Sequence, residues 1–347
     1  MDTITARDNR SVAVWLYIGA GMLIIQVLLG GITRLTGSGL SITEWQPILG
    51  AFPPMSEEAW EQAFARYREI GQFHYINSHF TLSDFKAIYF WEWLHRDWAR
   101  LMGLVFIFPF IWFLIKKKIS RGMVHPMIIL FLLGALQGII GWVMVRSGLN
   151  TESLYVNHVR LAIHFIAAMV LLCYLLWFAL KISVPASAIQ SAPALKKLNL
   201  LLIVLLFIQL TYGAFMAGSH AALAAPTWPD INGAWLPDSV IRAGEFGRDL
   251  THNLISIQFI HRGLAYLITI LLFIWSFMTF KLKEGCLLHK IRYVPLLLVI
   301  VQVFLGVTAL LRVLSPNVIL LNILHQFIGM LLLMMMFFTL FLVKQEK

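Results

Sequence analysis

Charged side chains are the scarcest feature of this sequence. Asp, Glu, Lys and Arg make up 13% of its 347 residues, about half of the ~25% usual in soluble globular chains, so most of the surface cannot be meeting water. Cysteine is nearly absent. Cys173 and Cys286 are too few for a disulfide framework or a Cys-rich metal site, and no C-x-x-C-H occurs, which excludes covalent c-type heme. The 17 acidic residues are outnumbered by 27 Lys and Arg, for a net charge of +10. The placement of those cations points to topology rather than to a polyanionic partner, so no nucleic acid is expected.

Apolar residues fill the gap, at 59% of the chain and a mean hydropathy of +0.79. Length alone would allow about two soluble domains, but many apolar runs exceed the ~18 residues that mark a membrane-spanning helix. Eight stretches stand out: 12–33, 87–115, 124–145, 158–180, 198–218, 254–280, 293–312 and 318–343. The expectation is an all-α integral membrane protein with eight transmembrane helices and the lipid bilayer as its first partner. The first stretch has no A-x-A-like cleavage site and runs into Gly30-Gly31, so it reads as a retained span. No Arg/Ser-rich presequence precedes it, which favours a bacterial inner (cell) membrane over an imported organelle protein.

Lysine sets the orientation. Lys116, Lys117, Lys118, Lys181, Lys196, Lys197, Lys281, Lys283 and Lys290 follow spans two, four and six, Lys344 and Lys347 end the chain, and only Lys86 lies on the other side. The positive-inside bias makes the lysine-rich side cytoplasmic, with both termini in. Two long connections, 34–86 and 219–253, are then outside. The first carries a candidate amphipathic helix, with Ser56 as N-cap, Gly71 as stop and Trp60, Ala63, Phe64 and Tyr67 on one face. It reads as a helix on the membrane or over a site mouth, most simply a lid on the bundle.

The two halves of the chain resemble each other. Gln26-x-x-x-Gly30 is matched by Gln209-x-x-x-Gly213, and Trp45 with Gly50-Ala51-Phe52 by Trp228 with Gly233-Ala234-Trp235. His95-Arg96-x-x-Ala99 is matched by His261-Arg262-x-x-Ala265, Gln137-x-x-x-Gly141 by Gln302-x-x-x-Gly306, and His164 by His325. The same order at similar spacing indicates a duplication. A four-helix unit returns the chain to its starting side, so two parallel-repeat four-helix bundles are expected, residues 1–190 and 191–347, related by a pseudo-two-fold axis along the membrane normal.

Four of the eleven histidines share one depth. His95, His164, His261 and His325 precede the cytoplasmic lysines by 21, 17, 20 and 19 residues, or roughly 25–32 Å at ~1.5 Å per residue. That places them together in the outer part of a core ~30 Å thick. A lone intramembrane histidine is ordinarily a hydrogen-bonded packing residue, but two per repeat at equal depth point to metal ligation. A structural zinc site wants more ligands, usually thiolates, whereas two facing imidazoles suit the axial positions of heme iron. The Gln-x-x-x-Gly positions supply small residues for helix packing or for a macrocycle. Arg96, Arg262 and Arg100 are candidates for pairing with heme propionates, against interfacial snorkelling as the plainer alternative. His74, His79, His125, His158, His220, His252 and His289 read as solvated or gating residues.

The repeats differ at one informative place. Glu92 lies three residues before His95, on the same helical face, where the second repeat has Gln258. A carboxylate at one site only is a candidate for proton transfer or substrate polarisation. An interfacial acid paired with Arg96 or Arg100 fits the spacing nearly as well.

The run Gly30-Gly31-Ile32-Thr33-Arg34-Leu35-Thr36-Gly37-Ser38-Gly39-Leu40-Ser41, then Glu44-Trp45, then Glu92-x-x-His95-Arg96, with His164, His261 and His325, resembles the heme A synthase family through all eight spans. The resemblance implies oxidation of the C8 methyl of heme O to the formyl of heme A, for cytochrome oxidase assembly. It also implies a heme b cofactor with its iron between His261 and His325, heme O as substrate at His95 and His164, and a catalytic role for Glu92. Implied partners are a heme O synthase, cytochrome oxidase assembly components and an unidentified electron donor. Some members carry a cysteine pair in an outer loop; with Cys173 inside span four and Cys286 in a cytoplasmic connection, this sequence looks like a member without it. The rival is a diheme b-type cytochrome passing electrons from quinol, which accounts for the histidines but gives no reason for Glu92 opposite Gln258. A transporter would suit the duplication but not paired ligands at one depth.

Overall fold

The computed structural model describes residues 10–47, 49–240, 246–282 and 284–344; Lys283 and Lys347 of the orientation argument lie outside them. The helices are α1 (Arg10–Leu35), α2 (Glu57–Arg68), α3 (Leu82–Ile115), α4 (Arg121–Arg146), α5 (His158–Ser183), α6 (Pro193–Gly218), α7 (Phe246–His252), α8 (Leu254–Thr279), α9 (Leu287–Lys290), α10 (Val294–Leu311) and α11 (Val318–Phe341). Eight segments are long and apolar enough to cross a membrane: α1, α3, α4, α5, α6, α8, α9 joined to α10, and α11. The expected helical membrane architecture is therefore present. Its one small addition is a parallel pair of two-residue strands, β1 (Gln190–Ser191) and β2 (Val343–Lys344).

Helix α3 begins five residues before the apolar run that identified it. Thr81 and Asp84 form a reciprocal capping box, with the Asp84 carboxylate accepting from the Thr81 amide at 2.8 Å. At 34 residues the helix is about 50 Å long, well beyond a ~30 Å hydrocarbon core. Its first turns thus stand clear as a post for the outer loop. Helix α2 uses that post. Ser56 caps it as expected, accepting from the Ala59 amide at 3.2 Å, but the helix stops at Arg68 rather than running to Gly71. Gly71 instead donates its amide to Asn150 O at 2.7 Å. A Cβ there would lie 2.8 Å from the carbonyl oxygens of Thr151 and Ser153. Glycine is needed for that close approach.

Contacts divide the chain into two units, Ile18–Ala168 and a second that joins Met1–Tyr17 to Met169–Lys347. In the first, α1 is tied to α3 by Gln26 Nε2 donating to His95 O (3.1 Å), Thr33 Oγ1 to Trp91 O (3.2 Å) and Trp98 Nε1 to Met22 O (2.9 Å). Arg160 donates to Val143 O at 3.0 Å, linking α5 to α4. The apolar face of α2 is spent on protein rather than on lipid: Phe64 and Tyr67 are buried with Leu40, Ile70, Phe85, Ile88 and Val145, and Trp60 packs edge-on against Tyr89 at 4.9 Å. In the second unit α6 packs on α8, α8 on α10, α10 on α11 and α11 back on α6. Trp275, Leu272, Ile257 and Leu202 are fully buried there.

The outer lobe of the first unit encloses a polar knot. The Tyr67 hydroxyl donates to Gln72 Oε1 at 3.0 Å and accepts from Asn77 Nδ2 at 2.7 Å, and all three residues are buried. Burial pushes the phenol up to about 12, so it stays a neutral donor across physiological pH. Tyr67→Phe would keep the ring and leave two buried amides short of a partner. It should cost about 1–3 kcal/mol, read as a lowered denaturation midpoint of the outer lobe with the membrane helices retained.

Candidate functional site

Each of the four equal-depth histidines lies against the glycine of a Gln-x-x-x-Gly turn. A Cβ on Gly30 would stand 3.1 Å from His95 Nε2, and one on Gly141 3.1 Å from His164 Cε1. A Cβ on Gly213 would stand 3.4 Å from His261 Cε1, and one on Gly306 2.7 Å from His325 Cε1. The glycines are therefore the seats of the imidazoles, which combines the packing and room-making roles that the sequence left open. His95 and His164 belong to the first unit and lie within electrostatic reach of each other. His261 and His325 belong to the second, with ring centres 6.4 Å apart and planes at 69°.

Four half-buried glutamines sit one turn before those glycines. Gln209 Nε2 is 3.4 Å from His261 Nε2, Gln302 Nε2 is 3.3 Å from His325 Nε2, and Gln26 Nε2 reaches the His95 main-chain carbonyl. The oxygens of all four amides, Gln26, Gln137, Gln209 and Gln302, are buried without a hydrogen-bond partner, as is His164 Nδ1. Polar atoms in that state are rare in folded proteins and mark places built for something further. His325 differs. Its Nδ1 lies 3.1 Å from Gln302 O, and a carbonyl can only accept, so Nδ1 carries the proton and Nε2 the lone pair. A ring anchored in this way presents Nε2 as a strong metal ligand.

Glu92 is buried, at 2% exposure, and both of its oxygens are engaged. Oε2 accepts from Ser41 Oγ (2.7 Å) and the Ile42 amide (2.9 Å), and Oε1 pairs with Arg96 at 2.6 Å. Arg96 also donates to Ile42 O (2.9 Å) and Glu44 O (3.1 Å), and Arg100 to Pro47 O (2.8 Å) and Gln46 O (3.0 Å). These bonds strap the loop 36–47 to α3. The loop enters through Gly37 at φ 68°, a left-handed turn that suits glycine. In the second unit Arg262 donates to Gln258 Oε1 and to the carbonyls of Ala225 (2.9 Å), Thr227 (2.9 Å) and Asp230 (2.8 Å). Gln258 Nε2 donates to Ala221 O at 2.6 Å. The carboxylate-to-amide difference thus has a local cause: the first loop offers Glu92 an N–H and a hydroxyl, whereas the second offers Gln258 a carbonyl. The three arginines flagged for propionates are placed on loop carbonyls; Arg100 Nη1 also pairs with Asp97 Oδ1 at 3.6 Å, and Arg262 Nε is buried without a hydrogen bond.

The donor set decides between a bare ion and a macrocycle. Among the described residues no three His, Cys, Asp or Glu side chains converge as a metal would need. An imidazole nitrogen bonds a first-row metal at about 2.0–2.1 Å, so two rings sharing one ion end-on have centres about 6 Å apart. The His261–His325 separation matches that spacing. The residues present fit a bis-imidazole heme.

The sequence profile of the cytochrome oxidase assembly protein family (COX15-CtaA) matches residues 13–337. The chain belongs to this family. Among curated relatives it is 40% identical over 310 residues to "Heme A synthase" of Rhodospirillum centenum, covering 89% of this chain and 83% of the relative. It is 41% identical over 313 residues to that of Flavobacterium psychrophilum (88% and 91%). The Flavobacterium johnsoniae protein is 37% identical over 342 residues, covering 96% and 98%. With eight candidate spans and this family membership, the chain is a multi-pass membrane protein.

Of the other histidines, His158 opens α5 and His252 ends α7. Sequence reasoning found the four ligand candidates and Glu92. It missed the amide contacts of the glutamines and the carbonyl partners of the arginines. The glycine seats yield a graded prediction. Gly306→Ala drives a methyl to within 2.7 Å of its ring and should cost about 1–3 kcal/mol of heme affinity. Gly213→Ala, with its contact at 3.4 Å, should cost less than about 1 kcal/mol. Equal heme retention by the two purified variants would contradict the seating.

Proposed function

We propose that this chain is a heme A synthase, an oxidoreductase that converts the C8 methyl of heme O to the formyl of heme A during cytochrome oxidase assembly. Family membership over residues 13–337 carries the activity, and the facing His261 and His325 rings at 6.4 Å support a resident heme b in the second unit. His95 and His164 are proposed to receive heme O. Residues 1–190 and 191–347 are proposed as parallel four-helix repeats in a bacterial inner membrane, both termini inside. A heme O synthase upstream, assembly components downstream and a separate electron donor are the proposed partners. Heme b, when bound, supplies one-electron redox chemistry.

The remaining work falls to side chains. The conversion breaks two C–H bonds at one methyl carbon, so the first site needs a group that can hold and pass on a proton. Glu92 is proposed for that task. Its Ser41 contact is the bond most easily exchanged, because a hydroxyl can rotate away, while Arg96 and the Ile42 amide keep the carboxylate aimed. Arg96, Arg100 and Arg262 hold the outer loops in place and remain proposed contacts for propionates, Arg262 through its unbonded Nε.

Glu92→Gln is not a neutral swap here, since an amide nitrogen would face either the Ile42 N–H or Arg96. Ser41→Ala keeps the charge and the strap, which separates the two roles. In a strain that depends on this chain, deletion should leave heme O accumulating and heme A absent. Complementation with Glu92→Gln should lower heme A formation by ~10²–10⁴-fold, whereas Ser41→Ala should stay within about tenfold of wild type. Normal heme A in the deletion strain, with no second synthase present, would overturn the assignment.

A further inference from the structure

Gln209 and Gln302 stand beside the second histidine pair with amide oxygens that are buried and unsatisfied. At His325 the geometry fixes the chemistry. Nδ1 donates to Gln302 O at 3.1 Å, so Nε2 is an acceptor, and the Gln302 group 3.3 Å from it must be the amide N–H. Gln209 stands in the same relation to His261 Nε2 at 3.4 Å. At His325 the amide occupies the lone pair that iron would take, and at His261 the same kind of amide meets the corresponding nitrogen. The amide oxygens meanwhile lie buried without a partner.

We propose that Gln209 and Gln302 are positioning residues that cap the iron-binding nitrogens of His261 and His325 until heme arrives, and that seating the heme displaces both amides. The inference rests on the heme b reading of this histidine pair. Without the cap, two neutral imidazoles would each leave a lone pair unsatisfied among apolar helices, a cost comparable to any unpaired buried acceptor. With it, the rings stay seated on Gly213 and Gly306 and keep Nε2 turned inward. Iron then replaces an N–H as the partner of each nitrogen, and the freed amide is beside the incoming macrocycle. The first unit is built differently at the corresponding glutamine, since Gln26 spends its amide on the His95 main-chain carbonyl.

The cap stabilises the heme-free protein only. Removing it should therefore make heme binding tighter, the opposite of what loss of a heme contact would do. Full-length protein purified heme-depleted and held in lipid nanodiscs would be titrated with hemin, following the low-spin absorption band. Gln302→Leu and Gln209→Leu should each raise the apparent affinity about 2–10-fold and lower the thermal stability of the heme-depleted protein. The loaded variants should keep the wild-type spectrum and midpoint potential. If a leucine variant does not fold, Gln302→Asn, whose shorter amide cannot reach Nε2, should shift the affinity the same way. Unchanged or weaker affinity, or a shifted potential in the loaded variants, would overturn the cap. Failure of wild type to form any low-spin heme, or its survival in His325→Ala, would instead overturn the heme b reading on which the cap rests.

Discussion

An imidazole placed between apolar helices needs a flat surface to lie on and a polar atom to satisfy it, and this constraint organises both units. The glycine of each Gln-x-x-x-Gly turn lets the neighbouring helix bring its histidine to within 2.7–3.4 Å of where a Cβ would be, and in the second unit the glutamine one turn away brings its amide to the ring. Four such turns seat four histidines. Large side chains at the glycines would force the rings away and lose the paired arrangement, so the small residue is a requirement of the site and not only of helix packing.

The loops on the far side of the histidines are held by arginine hydrogen bonds as well as by buried apolar side chains such as Leu40 and Ile231. Arg96, Arg100 and Arg262 deliver their donors to main-chain carbonyls, which fixes loop backbone that has no regular partner of its own. The i,i+4 neighbour of Arg96 is a carboxylate and that of Arg262 is an amide. The difference follows the loop: donors from Ser41 and Ile42 call for an anion, and the Ala221 carbonyl calls for an N–H.

Much of this was legible in the sequence. Runs of apolar residues longer than 18 gave the spans, and equal spacing from the cytoplasmic lysines grouped His95, His164, His261 and His325. The Thr81-x-x-Asp84 capping pattern would have placed the start of α3 correctly, but apolar periodicity begins only later. The end of α2 was misplaced at Gly71 because that glycine serves a tertiary close approach to Thr151 and Ser153, which local rules cannot see. The partners of Glu92 and Gln258 were hidden for a related reason. Whether a loop presents an N–H or a carbonyl depends on its path, and no residue pattern encodes that path. Sequence shows the charge and spacing of the arginines but not the loop carbonyls that meet them.

The central claim is that the second unit is a bis-histidine heme site and the first a site for a transient heme. The most direct measurement is the low-spin heme spectrum, optical and electron paramagnetic, of purified protein carrying His261→Ala, His325→Ala, His95→Ala or His164→Ala. The account predicts loss of the resident heme b signal in the first two variants and its retention in the last two. Retention of that signal in both second-unit variants, or its loss only in the first-unit variants, would contradict it.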